Sequence, residues 1–222
     1  MKADDVLNRK VVVLAGGWSD EREISLSSGK ACAKALADAG FGSVELLDVA
    51  CEGFVQKLVD GGYDVAFVAM HGRYGEDGCV QGMLEVLHIP YTFSGVLASA
   101  LGTAKDAAKV MYREAGIPTP QGVELLPGTK LTSDECSELA KRLGLPLFVK
   151  PAGNGSSFGI TRVTDPAGLP AAVDLAGSQG DVVLVEQCIM GTEITVPVLG
   201  NRDAMALPIV EVVTGAEFYD IK

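Results

Sequence analysis

Residues 10–15, KVVVLA, run straight into Gly16 and Gly17. A short β-branched run with no polar alternation is apolar on both faces, and such a strand belongs in a parallel sheet covered by helices. The continuation agrees. Asp20 and Glu23 make a capping-box-like helix start, and Gly29, Cys32, Leu36 and Ala39 then recur at helical spacing until Gly40. The first turn therefore sits at the carboxyl end of a parallel strand, where open α/β sheets bind their ligands.

The unit repeats. A strand is predicted over 44–49, a short helix over 53–59 and a strand over 64–70 (DVAFVAM), and alternating units of this kind imply a parallel sheet. After HGRYGEDG, Val80, Leu84 and Leu87 mark a helix, Ile89-Pro90 leads into Tyr91 to Ser94, and the first unit closes near Leu101. A bridging helix over 103–115 stops at Gly116 and Pro118. A strand over 122–126, a Pro127-Gly128 turn, a helix from Ser133 to Leu143 and a strand over 147–150 follow. Then the grammar changes: Gly153, Gly155, Ser156, Ser157 and Gly159 form a glycine-serine loop that leads into the strand-like ITRVT rather than a helix. A helix over 167–175 and strands over 182–186, 193–199 and 207–213 complete a chain of 222 residues, long enough for two compact units or one and a half.

With 18 basic and 29 acidic residues the net charge is -11, which repels nucleic-acid phosphates and anionic lipid, so no nucleic-acid or membrane partner is expected. Small-molecule chemistry is favoured, and any bound nucleotide must be held by a few placed cations. The five cysteines are scattered and form no C-x-x-C pair, which suggests neither a disulfide framework nor a zinc site and suits a reducing compartment. The polar start and the lack of a long apolar run point to a cytoplasmic protein.

Three places can carry chemistry. The first turn, GGWSDERE, lacks G-x-G-x-x-G and is crowded by Asp20, Glu21 and Glu23, so it suits an ammonium better than a phosphate. The competing reading is that these acids merely complement a helix N-terminus. His71 follows a buried strand and opens a polar glycine-rich loop; it is either a ligand or a structural histidine, and sharing an edge with Glu21 favours the former. KPAGNGSSFG offers Lys150 at a strand end, permissive glycines and two hydroxyls, the makings of an anion cradle, although a plain glycine-rich hairpin looks similar. It is not a Walker A loop. Lys105 alone reads as a solvated helical lysine, and Glu186, Gln187, Ile189 and Glu193 suit an adenosine pocket or a sheet edge equally.

Taken together, GGWSDEREISLSSG, HGRYGEDGCVQGMLEVLHIPYTFSGVLASALGTAKDAAK, KPAGNGSSFGITRV and VEQCIMGTEITV resemble the D-alanine–D-alanine ligases over nearly the whole chain. The resemblance implies an α/β fold: a flavodoxin/Rossmann-like parallel-sheet domain over 1–102, a central ATP-grasp lobe over 103–186, and the beginning of the C-terminal ATP-grasp lobe over 187–222. It implies ATP-dependent joining of two D-alanines through a D-alanyl phosphate, with Mg²⁺ or Mn²⁺, in a homodimer. By motif position, Glu21 would hold the first D-alanine's ammonium, His71 would lie beside it, and Ser156 would belong to a hydrogen-bonded group closing the site. Lys105 and Lys150 would bind ATP phosphates under the backbone of Gly155, Ser156 and Ser157; Glu186 and Ile189 would meet adenine and Glu193 the ribose.

Trp18, Cys79 and Gln187 depart from the residues usual at their places, without removing a proposed cation or carboxylate. The final FYDIK resembles the start of the family's mobile loop, so the metal ligands are expected beyond Lys222, and with them the residues that choose the second substrate. The alternatives are a D-alanine–D-lactate or D-alanine–D-serine ligase, or a non-catalytic nucleotide-binding ATP-grasp fragment.

Overall fold

The computed structural model describes residues 3–155, 158–180 and 182–213. A one-and-a-half-turn helix, α1 (Ala3–Leu7), precedes β1 (Lys10–Ala15), which takes the centre of a three-stranded parallel sheet. Its neighbours are β2 (Ser43–Asp48) and β3 (Val65–Val68), in the order β2-β1-β3. Central placement follows from composition: Val11 through Ala15 are all buried, so β1 needs cover on both faces.

The crossovers are α2 (Arg22–Asp38) and α3 (Phe54–Asp60). Gly29 lets α2 lie close on the sheet, since a Cβ there would come 2.5 Å from that of Ala15. Leu14, Leu58 and Leu84 are fully buried in this core, each contributing about 1.5–3 kcal/mol of transfer free energy. Leu84 belongs to α4 (Cys79–Val86), which follows the HGRYGEDG loop. Residues 91–94 form no strand. They contribute one parallel bridge, Tyr91 to Ala66, and run into α5 (Val96–Thr103), a helix that the sequence reading passed over. Helix α6 (Lys105–Glu114) follows directly.

The second sheet is antiparallel throughout. Its strands β4 (Gly122–Leu125), β5 (Leu147–Pro151), β6 (Thr161–Val163) and β7 (Val183–Gln187) stand in the order β4-β7-β5-β6. Two helices belong with it, α7 (Ser133–Leu143) and α8 (Leu169–Gly177), the latter burying Leu169, Ala172, Val173 and Ala176 against Leu147, Val149, Val183 and Val185. A true capping box starts α7: Thr132 Oγ1 accepts from Glu135 N at 3.3 Å, and the Glu135 carboxylate accepts from Thr132 N at 2.8 Å.

The two long strands expected over 193–199 and 207–213 are instead two-residue pairs: Ile194–Thr195 with Val210–Glu211, and Val198–Leu199 with Met205–Ala206. Ile194, Val198, Leu199, Met205 and Val210 are all at least half exposed, and an isolated ribbon with no buried face gains little from lengthening. Among the described residues, no helix is long and apolar enough to cross a membrane.

Candidate active site

Gly16 and Gly17 turn the chain out of β1 at φ +78° and +90°, a region L side chains avoid. Ser25, fully buried in the first turns of α2, locks the corner: its hydroxyl accepts from Gly16 N and donates to the carbonyl of Ala69, each at 2.8 Å. Arg22 donates to both carboxylate oxygens of Asp48, at 3.0 and 2.5 Å, and to the Gly17 carbonyl at 2.8 Å. The Arg22 guanidinium holds the Asp48 carboxyl down to about 2, against burial, with help from the amides of Ala50 and Gly17.

Arg22 is thus committed to Asp48, and the acidic turn sorts itself by burial. Asp20 and Glu23 face solvent, whereas Glu21 is 5% exposed. The capping box anticipated from Asp20 and Glu23 does not form: Glu21 is the N-cap of α2, and its side chain makes no cap hydrogen bond. Its carboxylate packs between two glycines from distant loops, since a Cβ on either Gly72 or Gly155 would lie 3.1 Å from Glu21 Oε1.

Glu21, His71 and Glu76 each offer a donor atom, all within 4.8 Å of one another, the one such group of three among the described residues. His71 is oriented twice: its Nε2 lies 3.0 Å from Ser28 Oγ, and its carbonyl accepts from Ser19 Oγ at 2.8 Å. The Glu76 carboxylate accepts from Gly72 N at 2.7 Å. Gln81, 3% exposed, braces the loop from below by donating to the Gly75 carbonyl at 2.8 Å. Neither Glu76 nor Gln81 was singled out from sequence, because carboxamides and acids inside a glycine-rich run look like solvated loop residues.

Two cavities adjoin. The first, about 680 Å³, is lined by His71, Glu76, Gln81, Lys105, Asn154 and Gly155 among others; Glu21 does not line it but packs against two of its lining residues, Gly72 and Gly155. The second, about 390 Å³, is lined by Lys105, Lys109, Tyr112, Ile117, Lys150 and Glu186 among others. Lys105 belongs to both, and its ammonium donates to the carbonyls of Asn154 at 2.5 Å and Ala152 at 3.3 Å, so it grips the glycine loop at its base.

Glu186 is 3% exposed and each of its oxygens meets a lysine: Lys150 at 2.6 Å on Oε2, and Lys109 on Oε1. Burial pushes its carboxyl up, but the two ammonium groups outweigh that and leave it below the ordinary glutamate range. Lys109 was also missed, although its spacing of four from Lys105 puts both on one face of α6. Ile189 is 65% exposed and Glu193 is exposed, and neither lines either cavity. Ser156 and Ser157 lie outside the described residues, as does the FYDIK segment.

Comparison with known proteins supplies the decisive observation. The family profile described as D-ala D-ala ligase C-terminus matches residues 111–222, and that described as D-ala D-ala ligase N-terminus matches residues 51–94. A D-alanine--D-alanine ligase of Pelotomaculum thermopropionicum is 44% identical over 216 residues, covering 96% of this chain and 67% of the relative. The chain belongs to the D-alanine–D-alanine ligase family.

Solved members of this ligase family share the fold. The D-alanyl-alanine synthetase A of Vibrio cholerae superposes with a TM-score of 0.83 at 27% identity, over 95% of this chain and 68% of that one. The D-alanine--D-alanine ligase of Bacillus anthracis complexed with ATP gives 0.77 at 31% identity, over 97% and 67%. The parallel sheet and the antiparallel sheet are therefore the α/β arrangement that the motifs implied. The chain spans about two thirds of the length of the ligases it matches. Of the departures from the family pattern, Trp18 stacks edge-on with Tyr74 at 6.0 Å, Gln187 accepts from Gln121 N at 3.2 Å, and Cys79 opens α4.

Proposed function

We propose that the protein carrying this chain joins two D-alanines into D-alanyl-D-alanine with ATP, through a D-alanyl phosphate, in the synthesis of peptidoglycan precursors. The observation that carries this reading is Lys105, which lines both cavities and so stands where an amino-acid carboxylate and a nucleotide phosphate would meet. Membership of the ligase family supports it.

In this reading Glu21, with His71 and Glu76 close by, holds the ammonium of the first D-alanine in the larger cavity. A buried carboxylate gains from a partner of opposite charge, and a substrate ammonium supplies one. Lys105 and Lys150 bind the ATP phosphates, and the backbone of Gly155, Ser156 and Ser157 covers them, with Ser156 joining Glu21's hydrogen-bonded group. By motif position Glu186 and Ile189 are assigned to adenine and Glu193 to the ribose, and of these only Glu186 lines the smaller cavity. Phosphoryl transfer to a carboxylate needs charge neutralisation and in-line placement, and the acyl phosphate must be kept from water until an amine attacks it.

Mg²⁺ or Mn²⁺ belongs to the same proposal, supplying charge neutralisation at the phosphates when bound. The Glu21–His71–Glu76 group does not fit it, because an imidazole is a poor ligand for a hard cation that prefers oxygen. The same proposal divides the chain at 102 and 186 into a substrate domain and two ATP-grasp lobes, and makes the protein a cytoplasmic homodimer.

The test is direct. The protein is supplied with ATP, Mg²⁺ and D-alanine, phosphate release is followed, and product is identified by mass spectrometry, with hydroxylamine added to trap a D-alanyl phosphate as the hydroxamate. D-alanine-dependent phosphate release with D-alanyl-D-alanine as product is expected. Absence of any D-alanine dependence sinks the reading, and preferential product from D-lactate or D-serine reassigns the second substrate.

A further inference from the structure

We propose that Lys109 is a positioning residue for nucleotide phosphates: by neutralising buried Glu186 from one side, it frees Lys150 to turn toward a phosphate from the other. The inference rests on the reading that Lys150 binds ATP.

Glu186 is the only buried member of the trio with negative charge, and its two oxygens are divided between the two lysines. The lysines are not equivalent. The Lys109 side chain is 12% exposed and its ammonium also donates to the Pro120 carbonyl at 2.8 Å, so two fixed acceptors hold it. The Lys150 side chain is 24% exposed, and Glu186 is its one ion-pair partner among the described residues. Both line the smaller cavity. An ammonium has three donors, which leaves Lys150 more of its capacity for an incoming anion.

A buried carboxylate cannot be stripped of its last counter-ion cheaply. Were Lys150 the sole partner of Glu186, its turning to a phosphate would leave a bare buried anion beside a polyanion, and like charges in a poorly screened cavity repel strongly. Lys109 removes that obstacle. The trio carries one net positive charge, and when Lys150 moves, the Lys109–Glu186 pair stays neutral behind it. Glu186 in turn keeps Lys150 extended and localised before the nucleotide arrives, which reduces the entropy lost on binding. Lys109 thus acts through Lys150 and touches no phosphate itself.

The experiment compares the affinity of ATP with that of adenosine, by titration calorimetry, in the wild type, Lys109→Met, Lys109→Arg, Glu186→Gln and the double variant Lys109→Met/Glu186→Gln. The ATP-to-adenosine ratio isolates the phosphates, and a merely structural role for Lys109 would not move it. Lys109→Met is expected to lower the ratio about tenfold or more, because Lys150 is captured by an unshared carboxylate. Lys109→Arg should keep the ratio within about threefold of wild type, and the double variant should restore it to that range by removing the trap.

An unchanged ratio in Lys109→Met overturns the inference. If that variant does not fold, the comparison of Glu186→Gln with the double variant decides: adding Lys109→Met to the neutral background should change the ratio by less than about threefold, and a larger loss means that Lys109 contacts phosphate directly and the inference is wrong. A wild-type protein that binds no ATP at all overturns the nucleotide reading instead.

Discussion

Glu21→Gln keeps the shape of the side chain and removes its charge. Glu21 is 5% exposed and packed between Gly72 and Gly155, so the ion pair it would make with a substrate ammonium is largely desolvated. Losing one partner of such a pair costs about 2–4 kcal/mol. Two features of the site place the expected loss in the lower half of that range. The Glu76 carboxylate lies within 4.8 Å and can take up part of the compensation, and His71 stays anchored by Ser28 and Ser19, which are untouched. A loss of about 2–3 kcal/mol corresponds to a fall of about 30- to 150-fold in kcat/KM for D-alanine. Steady-state phosphate release measured against D-alanine, at saturating ATP, gives that number; the same assay run against ATP should give a KM within about threefold of wild type, because Lys150 and Glu186 line the other cavity. A variant whose D-alanine parameters stay within threefold while KM for ATP rises would refute the assignment and the division of labour between the cavities.

The remaining predictions concern Lys150, the glycine loop and the first turn. Lys150→Ala should lower turnover about a hundredfold, the equivalent of a charge-assisted contact of roughly 3 kcal/mol, and wild-type-like phosphate release would remove Lys150 from the site. Gly155→Ala would put a methyl 3.1 Å from Glu21 Oε1, so KM for D-alanine should rise several-fold, roughly, while the melting temperature holds; an unchanged KM would mean that the loop and Glu21 separate during catalysis. The Asp48 carboxyl is depressed from 3.8 to about 2 chiefly by Arg22, so its contribution is present above the unfolded value and lost as pH falls through the folded one. Because Arg22 is 37% exposed, screening reduces that contribution to about 1 kcal/mol. Asp48→Asn should therefore melt lower than wild type at pH 7, with the gap closing between about pH 4 and pH 2, and a gap that persists at pH 2 would contradict the linkage.

Much of the architecture follows from local patterning. KVVVLA against two glycines can only be a buried strand with a tight exit, and α7 and β5 appear where apolar period and turn residues put them, because those cues act within a few residues of chain. The motifs around Glu21, His71 and Lys150 likewise sufficed to suggest the family, since each needs particular residue types at fixed spacing. The long strands expected over 193–199 and 207–213 fell to two-residue pairs because strand length depends on cover, a property of neighbouring layers rather than of the segment itself. α5 was missed because a run of small and apolar residues has no period of its own strong enough to choose between helix and extension.

What the sequence could not assign was partnership. It placed Asp20, Glu21, Arg22 and Glu23 side by side, and only the approach of β2 decided that Arg22 belongs to Asp48, leaving Glu21 as the buried acid. It separated Lys105, Lys109, Lys150 and Glu186 by up to 81 positions, and the helix face of α6 meeting strands β5 and β7 decided that two of these lysines share one carboxylate. Local preference is written in residues a few positions apart, whereas charge compensation depends on distances through space between segments whose contact the chain's order does not encode.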